Sequence, residues 1–211
     1  MFQVFPGLVG NVAALGGGAP LLDGSESDGT NLISGGPLAF TSGWGSLDVT
    51  LTANNATDPA GGSAAATVRE SATTTRHGIY IQQSITAGNT YNWSIYAKSV
   101  TRQYMQLFLA SSGGATRIYA YFDLINGTVT DSGILSSSGS SMGTPTIQAA
   151  VNGFYKCSMP SVVIDGTDAN PYFQPMCSDA STYGAPLTLN SPSFLGVSGN
   201  GLNLWRPKVA A

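Results

Sequence analysis

Beyond residue 30 the chain is written in short runs that alternate apolar and polar positions and stop at Gly, Asn, Asp or Pro. No stretch of convincing length carries a helical period. The clearest run is "TYNWSIYAKS" at 90–99, where Tyr91, Trp93, Ile95 and Ala97 fall on one face and Asn92, Ser94, Tyr96 and Lys98 on the other. A period of two with one apolar face specifies a strand in a sheet covered on one side. Candidate strands fall at 31–33, 37–40, 47–52, 64–70, 78–85, 90–99, 103–110, 117–124, 128–130, 146–151, 154–164, 171–176, 186–190 and 201–209. The run "YMQLFLA" at 104–110 is apolar almost throughout, which places it centrally in a sheet. Asn126-Gly127 reads as a two-residue hairpin link, since Asn and Gly tolerate the positive φ that such a turn needs. It would set the register between the strand holding Phe122 and the next one. Pro207 lacks a ladder donor and suits an edge or a strand end. The low-complexity segment 134–145, "ILSSSGSSMGTP", reads as a mobile loop. Strands of this number and spacing predict an all-β chain folded as a two-sheet antiparallel sandwich.

Composition narrows the class. Charged residues make up 9% of the 211, against roughly 25% in an ordinary globular protein, while 42% are apolar. That profile excludes a disordered chain and matches extracellular and virion β-proteins. The net charge of −3 resides in Asp23, Glu26 and Asp28; from residue 29 onward eight acidic side chains balance eight basic ones. A neutral body without a basic run argues against nucleic-acid binding. Cys157 and Cys177 lie far apart in sequence and His77 is the single histidine, so no metal pattern exists. Two buried thiols is the favoured reading, with a disulfide left open.

Residues 1–22, "MFQVFPGLVGNVAALGGGAPLL", carry no charged side chain. They lack the basic start of a secretory signal, and Pro6, Gly7, Gly10, Gly16, Gly17, Gly18 and Pro20 break every run that might cross a membrane. The segment reads as an apolar peptide that cannot bury Phe2, Val4, Phe5, Leu8 and Val9 by itself, and is therefore expected to anchor on another protein. The expected organisation is an anchoring arm with its acidic spacer at 1–28 and a β-sandwich at 29–211, with no membrane association.

Residues suited to catalysis are few. A Ser-His-Asp hydrolase needs a positioned base, and His77 follows "TTTR" beside a turn, where an exposed structural role is expected. Of the carboxylates, Glu70 and Asp123 are the strand-borne pair to weigh for glycoside hydrolysis; the others fall mostly in turns, where Asp caps its own backbone. Asp165, Asp168 and Asn170 in "DGTDAN" supply oxygens suited to Ca²⁺ but without EF-hand spacing, so a turn is preferred. No enzyme, cofactor or metal is expected. Trp93 and Phe154 are expected in the core.

Six elements in order resemble a known family: "NLI" (31–33), Trp44, "GIYIQQSITAGNTYNWSIYAKS" (78–99), "AYFDLINGTVT" (120–130), "NGFYKCSM" (152–159) and "GLNLWRPKV" (201–209). Together they are similar to the jelly-roll, carbohydrate-binding-module-like domains of tailed-bacteriophage virion proteins. Phe154 in place of a Trp, Arg206-Pro207 after the last Trp, and the stretch 166–186 depart from that pattern. The resemblance implies a jelly-roll sandwich and a non-enzymatic virion component: a capsid decoration, head fibre or tail fibre. Residues 1–22 would then meet capsid, portal-proximal or tail proteins, and the assembly would be a homo-oligomer, with a trimer as the working guess. Host surface glycans are the expected ligands, since aromatic rings stack on pyranose faces. Tyr172 and Tyr183 rank first as glycan candidates, followed by an aromatic shelf of Tyr119 and Tyr121, on the face opposite Phe122, and by Trp44. The alternative is a stand-alone or secreted bacterial carbohydrate-binding module.

Overall fold

The computed structural model describes residues 30–33, 40–113, 116–135, 139–164, 168–183 and 193–211. The expected arm at 1–28, with its anchoring residues Phe2, Val4, Phe5, Leu8 and Val9, lies outside the described residues, as do Asp165 and the candidate strand at 186–190. Among the described residues the chain forms β1 (Gly45–Leu47), β2 (Val49–Ala56), β3 (Ala65–Glu70), β4 (Thr74–Thr75), β5 (Gly78–Gln82), β6 (Tyr91–Ser99) and β7 (Tyr104–Ala110). These are followed by β8 (Arg117–Asp123), β9 (Thr128–Leu135), β10 (Thr146–Ala149), β11 (Tyr155–Val162), β12 (Tyr172–Ser178), β13 (Phe194–Leu195) and β14 (Gly201–Ala210). No helix among them is long and apolar enough to cross a membrane.

Two six-stranded antiparallel sheets pack as a sandwich, in the orders β1-β5-β12-β7-β8-β9 and β10-β11-β6-β14-β3-β2, with a small β13-β4 ribbon beside them. The expected all-β, two-sheet antiparallel architecture is therefore present. The inner faces follow from the alternation. Trp93, Ile95 and Ala97 from β6 meet Leu107 and Leu109 from β7, Phe122 from β8 and Phe173 from β12 in one core. Each such fully buried large side chain contributes about 1.5–3 kcal/mol relative to exposure. Phe154 is buried as expected but belongs to a separate cluster with Tyr96 and Trp205, outside the main core. Cys157 and Cys177 are both buried free thiols.

Several local expectations fail for identifiable reasons. Asn126-Gly127 is no two-residue link. The turn runs over 124–127, only Gly127 takes positive φ (66°), and Gly127 N–H donates to the Asp123 carbonyl at 2.9 Å. The Asp123 carboxylate decides this by capping the turn: Oδ1 accepts the N–H groups of Ile125 (2.9 Å) and Asn126 (3.0 Å). The register is nonetheless set here, with Asp123 opposite Thr128. β14, which carries Pro207, is no edge but lies between β6 and β3. Pro207 is tolerated because it falls where the β6 ladder is interrupted, between Trp205 and Lys208, beside Arg206 at φ 47°. The "NLI" stretch forms no strand; instead Asn31 braces this irregular half of β14, donating to the Pro207 carbonyl (2.9 Å) and accepting from Val209 N–H (3.0 Å). Within the expected loop at 134–145, β9 extends to Leu135, and Ser141 exchanges backbone hydrogen bonds of 3.0 and 2.9 Å with Val163.

Candidate functional site

A groove of about 340 Å³ opens on the outer face of the first sheet. It is lined by Tyr80 of β5, Tyr172 and Gln174 of β12, Phe108 and Ala110 of β7, and Arg117 of β8, with Leu47, Arg76, Ser111 and Ser112 at its margins. The pleat explains why these side chains converge. Gln174 stands opposite Phe108, Phe108 opposite Tyr119, and Tyr119 opposite Gly133. On the other side Tyr80 pairs with Gly45 of β1. Residues directly opposite one another in an antiparallel ladder share a face, so one row crosses the sheet with a glycine at each end. A Cβ on Gly45 would collide with the Tyr80 ring, and one on Gly133 would sit 2.9 Å from the Tyr119 hydroxyl. Both rings therefore lie over the glycines towards the sheet edges, and the floor between them stays open above Gln174 and Phe108.

The wall nearest β5 is a T-shaped pair, Tyr80 and Tyr172, with centroids 5.9 Å apart. Beyond Phe108, outside the groove's lining, lies a buried aromatic cluster. Tyr183 lies 4.6 Å from Tyr119 and 6.4 Å from Phe108, nearly parallel to the latter, and its backbone N–H is held by Asp131 Oδ2 at 2.9 Å. Burial raises the Tyr183 phenol to about 12, with Arg117 opposing the rise; burial likewise raises Tyr119, aided by Asp131, and Tyr121. All three phenols stay protonated at neutral pH. The rim carrying Ser112 is fixed by Asp168, whose carboxylate accepts Ser112 N–H (2.6 Å), Ser112 Oγ–H (2.8 Å) and Asn170 N–H (3.0 Å). Asp168 is thus a loop tie, and among the described residues no cluster of His, Cys, Asp and Glu is arranged to hold a metal.

Two cations border the groove. Arg117 donates to the Thr116 carbonyl at 2.9 Å and lies 6.0 Å from the Phe108 ring centroid. Its pKa is lowered, chiefly by burial and further by the positive charge of Arg76, against the opposing effect of Tyr183. Gln174 is 6% exposed, and its side chain has no hydrogen-bond partner among the described residues. A second groove, about 280 Å³, lies on the other sheet between Asn92, Lys156, Ser158 and Lys208. Both of its lysines are already engaged.

The structure thus sorts the sequence candidates. Tyr172 lines the groove. Tyr119, Tyr121 and Tyr183 come together, but as a closed cluster with exposures of 6%, 0% and 4%, so they form no open shelf and do not line the groove. Trp44 is displaced altogether: it packs on Phe40 (5.0 Å) and Phe173 (6.2 Å) against the core. Sequence ranking missed Tyr80, Arg76, Arg117 and Gln174. The strand alternation that carries Tyr80 outward was available, but not the neighbours it would meet.

The polar residues weighed for catalysis are held elsewhere. His77 is fully buried rather than exposed, its two ring nitrogens facing the carbonyls of Asp48 (3.0 Å) and Thr73 (3.1 Å) and its ring 4.8 Å from Phe194. Glu70 is clamped by Arg102 through bonds of 2.5 and 2.6 Å and accepts Val197 N–H at 3.1 Å. Asp123 serves its turn.

No protein-family model matches the chain, and no curated protein does either. Among solved structures, the crystal structure of the enzymatically active domain of bacteriophage CBA120 tailspike protein 4 is similar at 14% sequence identity and a TM-score of 0.42. The match covers 85% of this chain and 21% of that one, so the chain spans about a fifth of that protein's length. A likeness that distant carries no argument about function.

Proposed function

We propose that this chain is a non-enzymatic glycan-binding sandwich of a tailed-phage virion, displayed as a decoration or fibre element and held to other virion proteins through residues 1–22. The observation that carries the glycan reading is the groove on the first sheet. A tyrosine pair forms its wall and a buried amide its floor, which is the combination a saccharide needs: a ring face to stack on and a fixed polar group for a hydroxyl. The virion part rests on the family resemblance of the strand motifs and on the uncharged apolar leader. Weak binding per copy suffices for such a role, because linked copies gain avidity without new contacts. A secreted carbohydrate-binding module would use the same groove and would differ only in where the protein is found.

The test is a glycan array probed with the full chain, wild type beside Tyr80→Ala and Tyr172→Ala. Binding to a defined glycan is expected, with each substitution weakening it roughly tenfold, the loss of one stacking platform. Absence of binding to every glycan, or full binding by both variants, overturns the groove as the site. Co-purification of the chain with phage particles supports the virion reading, and its recovery only from bacterial culture medium supports the secreted module.

A further inference from the structure

His77 is a buried ionisable group that the groove does not use. It is 0% exposed and is the single histidine of the chain. Nδ1 faces the Asp48 carbonyl at 3.0 Å and Nε2 faces the Thr73 carbonyl at 3.1 Å. A carbonyl only accepts hydrogen bonds, and a neutral imidazole has one N–H and one bare lone pair. In either neutral tautomer, one ring nitrogen would set its lone pair against a carbonyl oxygen inside the protein. Only the doubly protonated ring donates to both. A buried cation is costly unless its surroundings meet it, and here they do. Both N–H groups find acceptors, and the Phe194 ring lies 4.8 Å away, within the range of a cation–π contact.

Charged and titratable groups on the surrounding elements are few. Asp48, in the bend between β1 and β2, accepts the Thr73 hydroxyl at 3.4 Å. Glu70, at the end of β3, is paired with Arg102, whose guanidinium lies 4.8 Å from the same Phe194 ring. Arg76, next to His77 in the chain, lines the groove of the first sheet. On β12, Cys177 N–H donates to the His77 carbonyl, and burial keeps its thiol protonated. Asp179, just past β12, acts on Arg102. With Glu70 and Arg102 offsetting one another, Asp48 favours a cation at His77 and Arg76 opposes it, so the two carbonyls decide the matter.

We propose that His77 is a proton-held clasp: its imidazolium ties the β1–β2 bend and the β13–β4 ribbon to β5, and loss of one proton lets go of one carbonyl. Both carbonyls are shared. Asp48 also accepts Ser71 N–H at 3.0 Å, and Thr73 also accepts Gly196 N–H at 2.9 Å, so release loosens several segments at once. Leu47 and Tyr80 line the groove from β1 and β5, and the clasp therefore steadies that edge of the site as well. A free imidazole gives up its second proton near pH ~6.5. The stability that the clasp adds is accordingly full below that pH, and is lost as the pH rises towards the point where the folded ring deprotonates.

With a single histidine in the chain, its ring signals need no assignment by mutation. A nitrogen–proton correlation spectrum of the full chain, recorded about one pH unit above the free-imidazole value, is expected to show both ring nitrogens protonated. Urea unfolding of wild type and His77→Gln is then compared from pH ~6 to ~9, the span in which histidine and cysteine ordinarily titrate. The wild-type folding constant should fall more steeply than that of the variant, by up to about tenfold per pH unit, the weight of one linked proton. Cysteines ionising in the unfolded chain near pH ~8.5 add a slope of the same sign, which both proteins share. Amide exchange at Ser71 and Gly196 should quicken over the same range, beyond the base-catalysed rise at other amides. A neutral ring in the wild-type spectrum overturns the clasp, and so do parallel pH profiles of the two proteins. Where His77→Gln does not fold, the wild-type spectrum and exchange decide, and protection at Ser71 and Gly196 that persists as the pH rises overturns the release.

Discussion

Glu70 and Arg102 form the most consequential side-chain pair in the described molecule. The Glu70 side chain is fully buried and that of Arg102 is 13% exposed. Two parallel bonds join them, and the guanidinium also lies 4.8 Å from the Phe194 ring centroid. Breaking such a pair leaves an uncompensated buried charge. Arg102→Ala is expected to cost about 3–5 kcal/mol in urea unfolding at neutral pH; a loss below about 1 kcal/mol, the range of exposed pairs, would show the contact to be incidental. Asp123 carries a different liability. Burial by itself would raise its pKa, but the Asn126 backbone and side chain, the Ile125 N–H and the Gln103 amide outweigh that and hold it below the ordinary value. A carboxylate depressed on folding adds stability above its unfolded pKa, near ~3.9 for Asp, and that stability is lost as pH falls through the lower folded value. Asp123→Asn should therefore cost about 2 kcal/mol at pH 7, the scale of hydrogen bonds to a charged group. The gap between variant and wild type should narrow only as the pH drops below the usual carboxylate range. A gap that stays constant down to the acid transition would mean that the ionised carboxylate is not what holds the turn.

The outer face of the first sheet shows how strands, by pairing, build a site that no single strand contains. The row through Tyr80, Gln174, Phe108 and Tyr119 draws on four strands, and its terminal glycines on two more. Gly45 is needed for the room it leaves and for nothing else, since its φ is not in the left-handed region. Gly45→Ala is expected to force the Tyr80 ring off its seat, costing about 1–3 kcal/mol by overpacking and reducing glycan binding along with stability. Thermal unfolding and the array measure the two effects separately, and a variant with unchanged melting and binding would show that the ring has another place to go. β14 gives the companion lesson. A proline in a central strand is tolerated where the ladder on one side is already interrupted and Asn31, far away in sequence, supplies hydrogen bonds from its side chain.

For the molecule as a whole, one core between two sheets means that the described sandwich carries its own stability, and the function proposed above gives residues 1–22 to assembly. Deleting them is expected to leave thermal unfolding unchanged and to abolish incorporation into particles; normal incorporation of the shortened chain would end the anchoring reading. Much of the sandwich was legible in the sequence, because the period-two alternation of Tyr91, Trp93, Ile95 and Ala97 is a local property that the pleat converts directly into a buried face. The turn at 124–127 was half legible: Asn126-Gly127 marked its place, but the capping by Asp123 outvoted the shorter link. The groove was barely legible. Tyr172 and Tyr183 stand out as aromatics away from the family pattern, but Tyr183 packs with Tyr119 and Tyr121, the expected open shelf, and the three shield one another. By itself the sequence determined an all-β chain, the identity of its inner faces and the scarcity of charge, since each depends on neighbours a few residues apart. Only the tertiary structure decided that His77 is buried, that Trp44 belongs to the core, and that Arg76, Arg117 and Gln174 share a groove, because exposure and charge proximity are set by which strands become neighbours across the sheet.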